Sequence, residues 1–230
     1  EQAGFTLCQT PDHYEGWVSS EELCSPAPSF VMGTTRRTLA RIAYLRPAPD
    51  TKLPPRLAVS KGTLLRSQGG DSQWTPVVTP AGHRLWAQAH CLAAPSQPTL
   101  LSGPGSLVMH GRDLLGTPYL WGGGSSFGVD CSGFVQLLYA LHGLLLPRDA
   151  DQQFGVGVAV SRHGVQAGDL VFFATAHGKE IVHVGLAASR ESVLHASGSG
   201  GVMESGIEDP VCGIYAGSRR VGEWSSPSGA

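Results

Sequence analysis

Three residues of this chain, Cys131, His183 and His195, are of the types that together run nucleophilic acyl chemistry. A thiolate attacks, one imidazole carries the proton, and a second polar group orients that imidazole. Cys131 stands in the run Asp130-Cys131-Ser132-Gly133-Phe134, directly after Gly122-Gly123-Gly124-Ser125-Ser126-Phe127-Gly128-Val129. That loop is too rich in glycine to continue a regular element, so the chain must bend before the cysteine. A helix signal follows. Asp130 is a good N-cap, Phe134, Val135, Leu137, Leu138 and Leu141 recur at helical spacing, and Gly143 and Pro147 close the segment. Cys131 is therefore expected in the first helical turn, where free N–H groups and the helix dipole favour an anion and would lower the thiol pKa. A free cysteine is just as commonly a small buried hydrophobe, and position alone leaves both readings open.

The histidines sit in two apolar stretches. Ile181-Val182-His183-Val184-Gly185-Leu186-Ala187 and Ser192-Val193-Leu194-His195-Ala196-Ser197 flank the polar Ser189-Arg190-Glu191, which reads as a hairpin. A hairpin centred on residue 189 or 190 sets His183 directly opposite His195, on one face, with Cβ atoms about 4.5 to 5.5 Å apart. His195 can then hold the His183 ring or stabilise its charged form. The chain has nine histidines, so any one alone is more simply a residue using its ring for a backbone hydrogen bond. The pair, downstream of a cysteine at a helix start, makes a constellation. The same three side chains could be read as a zinc site, but a fourth ligand and a general-base glutamate are missing from their neighbourhood, and no metal or other cofactor is expected.

The 230 residues have room for one large or two to three small domains, and 41% hydrophobic content can bury a core. Charged residues make up 15% of the chain, below the roughly 25% of typical domains, while 31 glycines and 16 prolines imply many turns and short strands. Net charge is −2 without blocks of like charge, so neither nucleic acid nor an anionic membrane is an expected partner. No apolar run approaches the roughly 18 residues that span a bilayer. The chain opens on Glu1 and not on Met, so a leader or more is expected to have preceded it, and the compartment stays open between cytoplasm and cell envelope. Cys8, Cys24, Cys91, Cys131 and Cys212 lack metal-type spacing. Cys8 and Cys24 could pair in an oxidising compartment; the others read as thiols.

The elements that must position the constellation come in order. Phe5 to Cys8 and Trp17 to Ser19 read as strands around the turn Pro11 to Gly16. Ala40 to Leu45, Thr63 to Arg66, Trp74 to Thr79 and Leu85 to Ala87 read as further short strands, separated by the proline-stiffened loop Pro47 to Pro55 and by glycine turns, which argues a barrel or sandwich. Ala93 to Pro98 and Ser102 to Gly105 have linker composition. Ser106 is an expected N-cap for a helix carrying Leu107, Val108, Leu114 and Leu115. Past the Cys131 helix, Val156 to Val160 reads as extended and Leu170 to Ala174 as a buried strand.

Two sets of residues resemble known families. Asp12-His13-Tyr14-Glu15-Gly16-Trp17-Val18 is similar to the Asp-Gly-Tyr-x-Gly-Trp-Val signature of bacterial Src-homology-3-like domains. His13 replaces its glycine, so the turn is expected to be shaped differently, and Gly82-x-x-x-Trp86 reads as a weak second copy with Leu85 where glycine is preferred. Residues from about 106 to 224 resemble an NlpC-type cysteine peptidase domain. The matching segments are Gly116-Thr117-Pro118-Tyr119-Leu120-Trp121-Gly122-Gly123, Asp130 to Phe134, Pro147-Arg148-Asp149, Gly168 to Phe173, His183 to Leu186 and His195-Ala196-Ser197. The resemblance implies an α+β fold, a papain-like catalytic domain with the cysteine helix packed on an antiparallel sheet, preceded by small all-β Src-homology-3-like barrels. The expected divisions are a partial first barrel at 1–28, a second at 29–95, a linker at 96–105 and the peptidase domain at 106–226.

With the barrels in front, the chain resembles the bacterial γ-D-glutamyl-L-diamino acid endopeptidases. That resemblance implies a monomer acting on peptidoglycan stem peptides in murein recycling or wall remodelling. It gives Cys131 the attack, His183 the acid and base steps, and His195 the orienting role, with Tyr119 and the Cys131 backbone N–H holding the oxyanion. Trp121 is expected to pack beneath the site. Tyr14, Trp121, Asp130, Ser132 and Asp149 are the implied substrate-binding residues, Asp130 also being the N-cap. Tyr14 would restrict the cleft to peptides with a free N-terminal L-Ala. An acyltransferase on the same fold and a non-catalytic wall-peptide-binding module stay open as alternatives.

Overall fold

The computed structural model describes residues 3–71, 73–93, 103–175 and 180–222. The chain divides into two compact units, Glu1–Leu100 and Leu101–Ala230. Most of the expected linker, residues 96–102, lies outside the described residues, as do residues 223–226.

The first unit is built from short strands. β1 (Phe5–Gln9) and β2 (Glu15–Ser19) form a hairpin, α1 (Pro28–Val31) is a single helical turn, and six strands follow: β3 (Thr34–Arg37), β4 (Ile42–Leu45), β5 (Leu57–Ser60), β6 (Leu64–Ser67), β7 (Trp74–Val78) and β8 (Arg84–Gln88). The order is β3-β6-β7-β8 in one antiparallel sheet and β4-β5 in a second. Alternation along these strands turns Leu45, Leu65, Val77, Leu85 and Ala87 inward to one core with Leu92. β3 and β5 escape a sequence reading; Thr34-Thr35-Arg36-Arg37 has no apolar face and takes its place by pairing with β6. The hairpin turn corrects another expectation. His13 has φ +67°, the left-handed conformation a glycine would take, so the substitution leaves the glycine-type turn in place. All five cysteines are free, Cys8 and Cys24 included.

The second unit packs helices on a sheet. α2 (Pro104–Arg112) leads to a two-stranded ribbon of β9 (Gly124–Ser125) and β10 (Gly128–Val129), then come α3 (Cys131–Leu141), α4 (Ala150–Phe154), β11 (Val158–Val160), β12 (Leu170–Ala174), β13 (Ile181–Ala187), β14 (Ser192–Ser197), β15 (Gly201–Gly206) and β16 (Ile214–Arg220). The six-stranded sheet has the order β11-β16-β12-β13-β14-β15 and is antiparallel throughout. α3 packs on β13 and β14, burying Phe134, Val135, Leu138, Tyr139 and Leu141. A core of Val165, Val171, Phe173, Ala187, Val193, Ile207 and Cys212 also packs on this sheet. Tyr139, buried among the hydrophobic residues, donates its hydroxyl to the Gly168 carbonyl at 2.7 Å, which satisfies its polar end.

Two local expectations shift. α2 is capped at Gly103 with Pro104 in its first turn, where a fixed φ and a missing N–H cost nothing, and Ser106 lies inside that turn donating to the Gly103 carbonyl. The β13–β14 hairpin closes further along than expected. Ala188 N–H bonds to Ser192 O, Leu186 faces Leu194 and Ala187 faces Val193. Extending that register puts Gly185 across from His195, so His183 stands diagonal to His195 on the same face. The diagonal is still within reach of long side chains.

Candidate active site

The loop before Cys131 is folded by backbone pairing and by one carboxylate. Tyr119 bridges Val129 in parallel, Leu120 N–H bonds to Val129 O, and Asp130 N–H bonds to Gly123 O. Gly133 makes the close approach possible; a Cβ there would lie 2.1 Å from the Gly123 carbonyl oxygen. Asp130 caps α3 as expected, accepting Gly133 N–H at 2.7 Å, and also accepts Gly122 N–H at 2.8 Å.

Arg148, given no role in the sequence, completes that carboxylate. Its Nη1 donates to Asp130 Oδ1 at 3.0 Å and its Nη2 to Oδ2 at 2.5 Å, a bidentate pair almost out of solvent. The same Nη1 donates to Ser132 Oγ at 2.9 Å, and Ser132 Oγ donates to Asp130 Oδ1 at 3.3 Å. Burial works to raise the Asp130 pKa, but Arg148 and the two N–H groups outweigh it and hold the carboxyl below its usual range. Asp130 and Ser132 are both buried, and the geometry gives them work inside the protein. Gln153 ties the next element in, donating to Ser132 O at 3.2 Å and Pro147 O at 2.8 Å. Asp149 caps α4 by position without a side-chain hydrogen bond and is partly exposed.

Cys131 opens α3 as expected, and its sulfur accepts the backbone N–H of Val184, the residue after His183. Its pKa departs from the expectation. Burial is the largest influence and pushes the thiol up, Asp130 adds to the rise, and the N–H groups of Val184, Ser132 and Cys131 pull down without winning. The resting sulfur is therefore a thiol. His183 is likewise neutral, its pKa lowered to about 4 by burial and then by the neighbouring His195.

His183 Nε2 lies 2.8 Å from His195 Nδ1, the two rings nearly perpendicular at 87° with centroids 5.0 Å apart. Phe173, across from His183 in β12, packs on the His183 ring at 5.8 Å between centroids. His195 is fully buried, and its remaining nitrogen, Nε2, meets Ser205 Oγ at 3.1 Å and Cys212 Sγ at 3.6 Å. Burial lowers the His195 pKa against the opposing charge of Asp209. Ser205 and Cys212 come from β15 and the turn before β16, and no motif in the sequence marks either one. Among the described residues no three His, Cys, Asp or Glu side chains form a metal-ligand cluster.

Tyr119 is partly buried; burial raises its pKa first, then the nearby Cys131 and Asp130, so its hydroxyl keeps its proton and stays a donor. Trp121 corrects the reading that it packs beneath the site: it is 86% exposed. Its loop turns out at Gly122, which has φ +77°, and no apolar layer covers the indole. Tyr14 lies in the first unit, one residue before β2, half exposed.

A model of the NlpC/P60 family matches residues 116–218. The γ-D-glutamyl-L-lysine dipeptidyl-peptidase of Bacillus cereus is 34% identical over 179 residues, which are 74% of this chain and 52% of that protein. The enzyme of the same name from Bacillus subtilis is 31% identical over 195 residues, 84% of this chain and 64% of that protein. The chain thus spans between about half and two thirds of the length of these relatives. A crystal structure of an NlpC/P60 family protein from Bacillus cereus superposes with a TM-score of 0.83 at 30% identity, covering 96% of this chain and 77% of that one.

Proposed function

The chain belongs to the NlpC/P60 family, and from that premise we propose that its second unit, a papain-like domain, is a cysteine peptidase that cleaves the γ-D-glutamyl-L-diamino acid bond of peptidoglycan stem peptides. The observation that carries this reading is the His183–His195 contact at 2.8 Å, on the strand whose next N–H holds the Cys131 sulfur. The two relatives named for γ-D-glutamyl-L-lysine cleavage supply the substrate class.

The site performs the reaction in two halves. Nδ1 of His183, the ring nitrogen left free by His195, takes the thiol proton as sulfur attacks the γ-glutamyl carbonyl carbon. Charge develops on the carbonyl oxygen, where Tyr119 O–H and the Cys131 backbone N–H stabilise it. Collapse of the intermediate breaks the C–N bond, and His183 returns its proton to the leaving amine of the diamino acid. Water then gives a proton to His183 and attacks the thioester, releasing the γ-carboxylate and restoring the thiol. A neutral resting pair suits this cycle, because the imidazole must begin as a base.

The substrate is held by Trp121, exposed on the loop before Cys131, and by the partly exposed Asp149. Asp130 and Ser132 act chiefly by keeping the start of α3 in place. We read the first unit as Src-homology-3-like, residues 29–95 forming one barrel and 1–28 part of another. In this reading Tyr14 selects peptides with a free N-terminal L-Ala, and the protein works as a monomer.

The test is incubation of the full chain with L-Ala-γ-D-Glu-diaminopimelate and with its lysine counterpart, following release of the free diamino acid. Wild type releases it from at least one peptide and Cys131→Ala from neither. Release that survives in Cys131→Ala, or none from wild-type protein, sinks the proposal.

A further inference from the structure

The proposed base step requires one protonation pattern across the two histidines, and their 2.8 Å contact holds a single proton. If that proton sits on His195 Nδ1, His183 Nε2 is the acceptor and the His183 proton must be on Nδ1, the atom that has to receive the thiol proton. Such a His183 is no base. The productive pattern puts the shared proton on His183 Nε2, leaves a lone pair on His195 Nδ1, and moves the His195 proton to its Nε2. That N–H needs an acceptor inside the protein, because His195 is fully buried.

We propose that Ser205 and Cys212 are positioning residues that hold His195 in the Nε2–H tautomer and so keep His183 competent as a base. Both reach the same nitrogen, Ser205 Oγ at 3.1 Å and Cys212 Sγ at 3.6 Å, and both are buried. Their contributions differ. A serine hydroxyl can donate or accept, so Ser205 alone tolerates either tautomer. Cys212 donates its S–H to the Gly206 carbonyl at 3.7 Å, which turns the sulfur lone pairs toward His195. Burial first and Asp209 second push its pKa up to about 11, so that hydrogen is retained at neutral pH. In the unproductive tautomer a nitrogen lone pair would face sulfur lone pairs; in the productive one Nε2–H donates to both atoms. Once His183 becomes an imidazolium, the same arrangement leaves His195 Nδ1 accepting from it.

This inference rests on the peptidase reading for its consequence but not for its measurement. In the ¹⁵N-labelled full chain, imidazole ¹⁵N shifts, assigned with single His→Asn variants, report which nitrogen of His195 bears hydrogen. Wild type is expected to show hydrogen on Nε2. Ser205→Ala/Cys212→Ala is expected to show hydrogen on Nδ1 in a sizeable fraction of molecules, with kcat on the peptide down by at least about tenfold and KM little changed. Ser205→Thr, which leaves Cys212 in place, and Cys212→Ser, whose hydroxyl can donate to the Gly206 carbonyl as the thiol does, each keep the acceptor and retain both readouts, which separates lost acceptors from lost packing. Hydrogen on Nδ1 in wild type, or a double variant with an unchanged tautomer, overturns the proposal. A wild type with the expected tautomer but no hydrolysis overturns the peptidase reading and leaves the positioning role standing.

Discussion

Arg148 grips both carboxylate oxygens of Asp130, at 3.0 and 2.5 Å, one residue ahead of Cys131. The charge of the N-cap is thereby cancelled where water scarcely reaches, and the cap is fixed to the segment that leads into α4. Removing the guanidinium leaves a buried carboxylate with only its N–H donors. Arg148→Ala is expected to cost about 3 kcal/mol in denaturant unfolding. Arg148→Ala/Asp130→Asn, which removes the stranded charge, should recover part of that loss. A double-variant loss equal to the sum of the losses of Arg148→Ala and Asp130→Asn, each measured singly, would show that the pair contributes no coupling.

The acid sensitivity of the same pair has a definite sign. The folded Asp130 pKa lies below its unfolded value, so its contribution is complete above the unfolded pKa and is lost as pH falls through the folded one. Without Arg148 the folded pKa rises towards the unfolded one, so this carboxyl gives up its share of the acid sensitivity, and the stability deficit of Arg148→Ala relative to wild type is expected to shrink as pH falls. Urea unfolding of both proteins along a pH series measures it; a deficit that stays constant from neutral to acid pH would contradict the assignment.

A second pH dependence belongs to catalysis. In the proposed mechanism His183 accepts the thiol proton only when neutral, and its pKa is lowered to about 4. The acid limb of kcat/KM is therefore expected well below the ordinary imidazole range, with activity full at pH 6 and falling as pH approaches 4. Folding stability follows the same direction, since protons bind the unfolded histidine first as pH drops below about 6.5. A limb near the ordinary value, measured where the protein stays folded, would mean that burial does not govern this ring.

Much of this site is legible in the chain because its signals are local. Helical spacing from Phe134 to Leu141, the Asp130 cap and Gly143 after the last turn define α3 within a residue, and short apolar runs bounded by turns mark β12, β13 and β14. Register was legible only to within the length of one turn, and closing the hairpin between Ala188 and Ser192 moves His183 to the diagonal of His195. β15 and β16 are hidden for a physical reason. Gly201, Glu204 and Gly206 in one, and Gly217 with three polar neighbours in the other, dilute the period-two pattern that packing on adjacent strands then enforces. Arg148, Ser205 and Cys212 act through contacts made only in the folded chain, and spacing along the sequence carries no trace of them.

Gly133 offers a steric test of the loop against the helix. An added Cβ meets the Gly123 carbonyl oxygen at 2.1 Å and the Asp130 Oδ1 at 3.0 Å, so either the loop or the first turn of α3 must move. Gly133→Ala is expected to lose about 2 kcal/mol of stability and nearly all peptide hydrolysis, because the displaced turn carries Cys131. Gly124→Ala, where nothing lies within 4 Å of the added atom, is the matched control and should leave the unfolding midpoint within experimental spread. Similar stability for the two variants would refute the close packing of loop on helix.

Tyr119 isolates the proposed oxyanion step. Its raised pKa, due first to burial and then to the neighbouring Cys131 and Asp130, keeps the hydroxyl protonated across the working pH range, so it can serve as a donor throughout. Tyr119→Phe removes one oxygen and keeps the ring. A donor used only as charge develops contributes to the transition state and not to ground-state binding, so kcat should fall by about 10² to 10³ with KM nearly unchanged. Because thioester formation and hydrolysis both pass through an oxyanion in the proposed mechanism, rapid-quench measurement of each half should show both slowed. A rise in KM with kcat intact would instead make Tyr119 a binding residue and leave the Cys131 backbone N–H as the remaining proposed donor to the oxyanion.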